Sequence, residues 1–180
     1  MKKQIAKILC VGLLILGGYS VASAAPVYLA DGTLPMWSPD GAKIAYGNHQ
    51  IYTMDRDGTN KLQLTKMTVG LDAWGPQYRP GSFNLYYMDQ NNIENSGAIN
   101  PRLNYINVAG TGGRQEVQSF GIWDDVSPVR FSSNGMQYTY MYECDMGGIG
   151  DPEIRVASVN NEGYQTVKNS YWDFYNIKHT

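Results

Sequence analysis

Cysteine is close to missing from this sequence: of 180 residues only Cys10 and Cys144 carry a thiol. Cys10 lies within an N-terminal apolar run, so once that run is removed no internal disulfide can form. Cys144 is then a lone thiol, for which burial is the ordinary explanation. Histidine is as scarce, at His49 and His179 alone. No G-x-S-x-G elbow is present, which removes the usual signature of a serine hydrolase. No stretch beyond the first two dozen residues approaches the ~20 apolar residues of a spanning helix. A basic excess is also absent, and with it the electrostatic footprint of a nucleic-acid or anionic-membrane binder.

What is present begins with an export signal. Lys2, Lys3 and Lys7 form a basic start, Ile8 to Leu16 an apolar core, and Ala22-Ser23-Ala24 a small-residue cleavage site. Residues 1–24 are expected to be a helical signal peptide, with the mature chain starting at Ala25 and held in the periplasm or secreted. An uncleaved anchor is the alternative, disfavoured by the short apolar core. Removing 24 of 180 residues leaves 156, enough for one domain with a real core. Three lysines leave with the signal, so eleven basic residues face sixteen acidic ones, a net −5.

The rest is rich in turns and aromatic side chains, with 20 Gly and 14 Tyr, a composition suited to β-structure. From Pro35 to Thr65 three short β segments are joined by two tight turns and run into a fourth. Ser38-Pro39-Asp40-Gly41 is a turn in which Pro39 presets φ, Asp40 can bond nearby amides and Gly41 accepts positive φ. Asp57-Gly58 is a second hairpin signal. Four strands in 30 to 40 residues is about the size of one propeller blade. W-S-P-D-G, I-A-Y, I-Y-T-M-D-R-D-G-T-N and L-Q-L-T resemble the repeat of TolB-like β-propellers. That repeat also occurs in prolyl-oligopeptidase-like propeller domains and in oligogalacturonate lyases. Two weaker copies follow. One starts at Pro76-Gln77-Tyr78-Arg79-Pro80-Gly81; the other starts at Val129 and keeps Ser133-Asn134-Gly135 in place of Pro-Asp-Gly.

The expected fold is therefore all-β: about three four-stranded antiparallel blades over approximately 33–66, 74–118 and 126–168, within a propeller segment spanning 25–180. A fourth blade would open at 171–180, and Val27-Tyr28-Leu29 stands where an outer strand of a closing blade would. A ring of three blades leaves exposed edges, including Phe174 and Ile177. Three arrangements stay open: a truncated propeller, two chains completing a fuller ring, or an open arc.

If each blade runs from the axis outward, its first and third turns share one face. The second turns and the blade-to-blade connections share the other. That second face gathers the long loops 90–101 and 144–152, and rigidly placed irregular loops are where binding usually lives. It also gathers Trp74, Trp123 and Trp172, spaced 49 apart (123 − 74 and 172 − 123), with Asp72, Asp124, Asp125 and Asp173 beside them. These seven are the candidate partner-binding residues. The plainer readings are that the tryptophans wedge between blades and that the aspartates cap turns.

Metal signals are weak. Asp55 to Asn60 superficially suggests a calcium loop, but strands flank it and no terminal Glu follows, so a hairpin is expected. Glu143, Asp145, Asp151 and Glu153 cluster without a specific spacing. No metal, cofactor or catalytic residue is assigned. The resemblance adds to this: the peptidase relatives carry their triad on a separate domain, and the lyases hold a metal with a histidine cluster that two histidines cannot form. TolB itself works with peptidoglycan-associated and other envelope proteins. The resemblance thus implies a non-enzymatic binding or scaffold module for a cell-envelope protein or peptide. The rival is a carbohydrate binder or remnant polysaccharide lyase. Self-association through open blade edges is the remaining partner expectation; nucleic acid and membrane insertion after cleavage are not expected.

Overall fold

A computed structural model describes residues 26–68, 70–92, 99–109, 113–122, 124–144, 152–160 and 163–169. The signal segment 1–24, the fourth-blade start at 171–180, and Trp123, Trp172 and Asp173 lie outside these. The described chain is all β. Blade one comprises β1 (Thr33–Trp37), β2 (Lys43–Asn48), β3 (Gln50–Asp55) and β4 (Leu62–Gln63). Blade two comprises β5 (Ala73–Tyr78), β6 (Asn84–Asn92), β7 (Ile99–Asn107) and β8 (Gln115–Ser119). In blade three the inner strand is split into β9 (Asp124–Val126) and β10 (Arg130–Phe131), followed by β11 (Gln137–Cys144), β12 (Glu153–Ser158) and β13 (Tyr164–Asn169). Each blade is an antiparallel sheet in chain order, with β9 and β10 both pairing β11.

The repeated turns explain the repeated blades. Gly41 donates to Ser38 O at 2.9 Å while Asp40 Oδ1 accepts from the Ser38 hydroxyl at 2.6 Å and from the Ala42 amide at 3.0 Å. In blade three Gly135 donates to Ser132 O at 2.9 Å, and Asn134 Oδ1 accepts from Ser132 at 2.8 Å and from Met136 at 3.0 Å. An amide oxygen thus replaces a carboxylate oxygen bond for bond. The Asp55–Thr59 segment is the expected hairpin. Asp57 Oδ1 takes the Thr59 amide at 3.0 Å and its hydroxyl at 2.7 Å, while Asp55 takes Lys43 and Asn60, both at 2.6 Å.

Alternation along the second strands builds the seams between blades, because these strands bury both faces. Leu85 and Tyr87 face blade one and pack with Ala45 and Ile51, while Leu64 and Met67 fill in beside them. Tyr86 and Met88 face blade three and meet Val126, Val129, Tyr138 and Tyr140. Burial pushes the Tyr78 and Tyr138 phenols up to about 12. On the blade-one side of β6, Asp89 is fully buried and takes Arg102 and Arg114, each at 2.9 Å.

Two expectations need correction. The second-turn loop of blade two is shorter than 90–101, since the ladder runs on through Gln90↔Pro101 to Asn92↔Ile99. Val27 to Leu29 form no strand. Leu29 and Ala30 instead lie against Ile44, Tyr46 and Met54 on the outer side of blade one. The chain here is short and runs straight into β1, and Lys61 Nζ holds Leu29 O at 2.8 Å.

Candidate functional site

The second turn of blade one and the connection into blade two share one face. His49, alone between β2 and β3, adopts φ 55, a left-handed conformation that turns the chain in a single residue. Its carbonyl accepts from Ala73 at 3.0 Å, and its Nδ1 lies 2.8 Å from Asp72 Oδ1. Two bonds therefore clasp the blade-one turn to the start of the blade-two inner strand. Asp72 is held on its own side by Gln90, whose Oε1 accepts from the Asp72 amide at 3.1 Å and whose amide donates to Asp72 O at 3.2 Å. Backbone fixed, the carboxylate is free to orient the imidazole.

The pair stands at the surface, with the His49 side chain 80% and that of Asp72 50% exposed. Clefts open on both sides of it. One, of about 480 Å³, is walled by Gln50, Met67, Thr68 and Leu71. The other, of about 300 Å³, is walled by Gly32, Thr33, Gly47, Asn48 and Trp74. Gln50 is rigid because its Oε1 accepts from Thr65 Oγ1 at 2.9 Å and from the Met67 amide at 2.8 Å. A carboxylate only accepts, so Nδ1 carries the hydrogen, which leaves Nε2 as an acceptor, or as a donor once protonated.

The sequence candidates divide. Asp72 and Trp74 are brought together here, but Trp74 is half-buried and packs on the seam between blades two and three, as the wedge reading expects. Asp124 is spoken for: Oδ2 accepts from Gly121 at 2.6 Å and Oδ1 from the Tyr142 hydroxyl at 2.9 Å. Asp125 is exposed opposite Glu143 on β11 and borders a small cleft of about 80 Å³. Trp123, Trp172 and Asp173 lie outside the described residues. Among the described residues no group of three His, Cys, Asp or Glu side chains is arranged to hold a metal ion.

His49 is the residue that sequence reasoning left off the site. The signal was available in the repeat. Asp31, Asp72 and Asp125 each stand seven positions before the first-turn residue, Ser38, Arg79 and Ser132 (38 − 31, 79 − 72, 132 − 125). Asp31 and Asp72 thus sit just ahead of their inner strands, while Asp125 lies within β9, the first half of the third. The tryptophans do not share that register: Ser127, not Trp123, holds the place of Trp74 relative to the turn.

No family model matches the sequence, and no curated protein does. Solved structures do. An oligogalacturonate lyase from Vibrio parahaemolyticus superposes with a TM-score of 0.58 at 15% identity, over 75% of this chain and 36% of that one. An oligogalacturonate lyase in complex with manganese superposes at 0.54 and 13% identity, over 79% and 36%. At such identities the likeness establishes the propeller-like fold alone. The chain spans about a third of the length of these lyases.

Proposed function

We propose that this chain is an exported, non-enzymatic binding or scaffold module of the TolB-like propeller type. It acts in the periplasm and holds a segment of a cell-envelope protein in the clefts at the seam of blades one and two. The observation that carries the reading is the His49–Asp72 clasp: an imidazole 80% exposed, oriented by a carboxylate, between two open clefts. Asp72 lines both clefts and Asp31 stands next to Gly32 of the second, so the segment held carries basic side chains. Exposed carboxylates of this kind steer a basic partner to the face.

Chemical crosslinking in intact envelopes, followed by capture of the chain, tests it. The unaltered chain should recover one envelope protein reproducibly, and Asp72→Ala should lower that yield at least tenfold with the melting temperature little changed. No envelope protein with the unaltered chain, or equal yields with both, contradicts the reading.

A second reading rests on the border that Trp74 shares with the Asp72 cleft: a glycan could lie along that wall, as in a carbohydrate-binding protein or remnant polysaccharide lyase. Tryptophan fluorescence titrated with pectic and peptidoglycan oligosaccharides separates the two. Saturable quenching that Trp74→Leu abolishes favours the glycan; an unchanged spectrum with every sugar removes it.

A further inference from the structure

The rung that closes β5 against β6 is irregular. Ala73 pairs with Asp89, so Asp72 and Gln90 stand opposite each other one step on. An antiparallel ladder exchanges two backbone bonds at such a rung. One of them forms, from the Gln90 amide to Asp72 O at 3.2 Å. The Asp72 amide donates instead to Oε1 of the Gln90 side chain at 3.1 Å. The Gln90 carbonyl, displaced from the rung, accepts from Nη2 of Arg102 on β7 at 3.4 Å.

Arg102 is anchored below the rim. It is buried, with Nε 2.9 Å from Asp89 Oδ1 and Nη1 3.7 Å from Glu116 Oε2. Asp89 is fully buried and fixed on its other oxygen by Arg114 at 2.9 Å. A buried ion pair adds little net stability over apolar packing of the same volume, and the seam beside it is apolar, with Leu85, Tyr87, Ala45 and Ile51. What this pair supplies, and an apolar pair could not, is a donor aimed at the Gln90 carbonyl. The contacts then run unbroken from core to surface: Asp89 to Arg102, Arg102 to Gln90, Gln90 to Asp72, Asp72 to His49.

We propose that Arg102 is a positioning residue for the His49–Asp72 clasp. Held by Asp89, its guanidinium keeps the Gln90 carbonyl out of the rung. The Gln90 side chain then holds the Asp72 amide, and the Asp72 carboxylate is set against Nδ1 of His49. The position requires arginine, whose planar fork offers its nitrogens at fixed angles to three partners, whereas a lysine ammonium is a single point charge. The inference rests on the clasp that the proposed function uses, but its test needs no partner.

Nitrogen-15 NMR of the imidazoles in the purified chain, at about pH 8 where they are neutral, tests it. His49 and His179 are the two histidines, and His49→Gln assigns their signals. An imidazole free in water favours the Nε2–H tautomer, whereas a carboxylate held at Nδ1 favours Nδ1–H. His49 should be mainly Nδ1–H in the unaltered chain. Arg102→Lys, Gln90→Leu and, as the positive control, Asp72→Ala should each lower its ratio of Nδ1–H to Nε2–H by about fivefold or more. Near-ultraviolet circular dichroism checks the fold. Should Arg102→Lys disturb it, Arg102→Gln joined with Asp89→Asn leaves no buried carboxylate without its cation and should show the same loss. Gly135→Ala is strained at φ 68 and sets a Cβ 2.6 Å from Pro80 O, so it costs stability on the opposite face and should leave the ratio unchanged. A mainly Nε2–H imidazole in the unaltered chain overturns the inference. So does an undiminished ratio in a folded Arg102 or Gln90 variant, or an equal loss in Gly135→Ala. The expected ratios in a chain that captures no envelope protein would support this inference and contradict the proposed function alone.

Discussion

Arg130 donates from Nη1 to Oε1 of Gln77 at 2.9 Å, joining the inner strands of blades two and three. Gln77 in turn reaches the sulfur of Met36 in blade one at 3.5 Å. All three residues stand two positions before the first-turn residue of their blade, so one repeat position links the arc along its inner edge. Gln77→Leu removes the acceptor and leaves the guanidinium to water. It should lower stability by about 1 kcal/mol, the usual net worth of such a bond, read from urea unfolding. No change would mean that the seam is held by its apolar contacts alone.

Gly75 tests the seam more severely. It adopts φ 63, and a Cβ built there would come within 2.4 Å of the Pro128 ring. Left-handed strain and overpacking add, so Gly75→Ala should cost about 3 kcal/mol. Gly81 shares the conformation at φ 73 but has open space around it, and Gly81→Ala should cost about 1 kcal/mol. Equal losses at the two positions would show that blades two and three are not packed at Pro128.

Asp89 is buried completely, between Arg102 and Arg114. Removing one partner of a buried ion pair strands the other, so Asp89→Ala should destabilise by about 3–5 kcal/mol. A loss below 1 kcal/mol, the level of a surface pair, would contradict the burial.

The fold was legible because its turns carry their own chemistry. Pro39-Asp40-Gly41, Pro80-Gly81 and Asn134-Gly135 each dictate a local reversal at the same repeat position, and three reversals in register imply three blades. Pairings between blades leave no such local mark. His49 finds Asp72 across 23 residues and a blade boundary, and Arg130 finds Gln77 across 53. The even spacing of the tryptophans pointed to packing as much as to a site, and Trp74 packs. The loop at 90–101 read as irregular because it is rich in Asn, a poor strand former, yet the long β6–β7 ladder carries Asn91, Asn92 and Asn100 into the sheet.

The first-turn and third-turn carboxylates make blade one acid-sensitive. Asp40 is held below 3.8 by the Ser38 hydroxyl and the Ala42 amide, Asp55 by Lys43 and Asn60, and Asp57 by the Thr59 hydroxyl and amide. A carboxylate whose folded value is depressed contributes stability that is complete above its unfolded value and is lost as pH falls through the folded one. Stability should therefore decline progressively below about pH 4. Asn134 shows that an amide can serve the same turn, so Asp40→Asn should fold normally near pH 7 and lose stability less steeply in acid. An unchanged acid slope would contradict the assignment.

Position-specific photo-crosslinking tests the central claim, that a partner sits in the clefts beside the His49–Asp72 clasp. A photoreactive side chain is placed at Asn48 or Thr68, each exposed on a cleft wall. A third is placed at Ser133, exposed in the first turn of blade three on the opposite face. The account predicts an adduct with the same envelope protein from Asn48 and Thr68, lost on Asp72→Ala, and none from Ser133. Adducts from Ser133 as strong as those from the clefts, or no adduct from either cleft position, would contradict it.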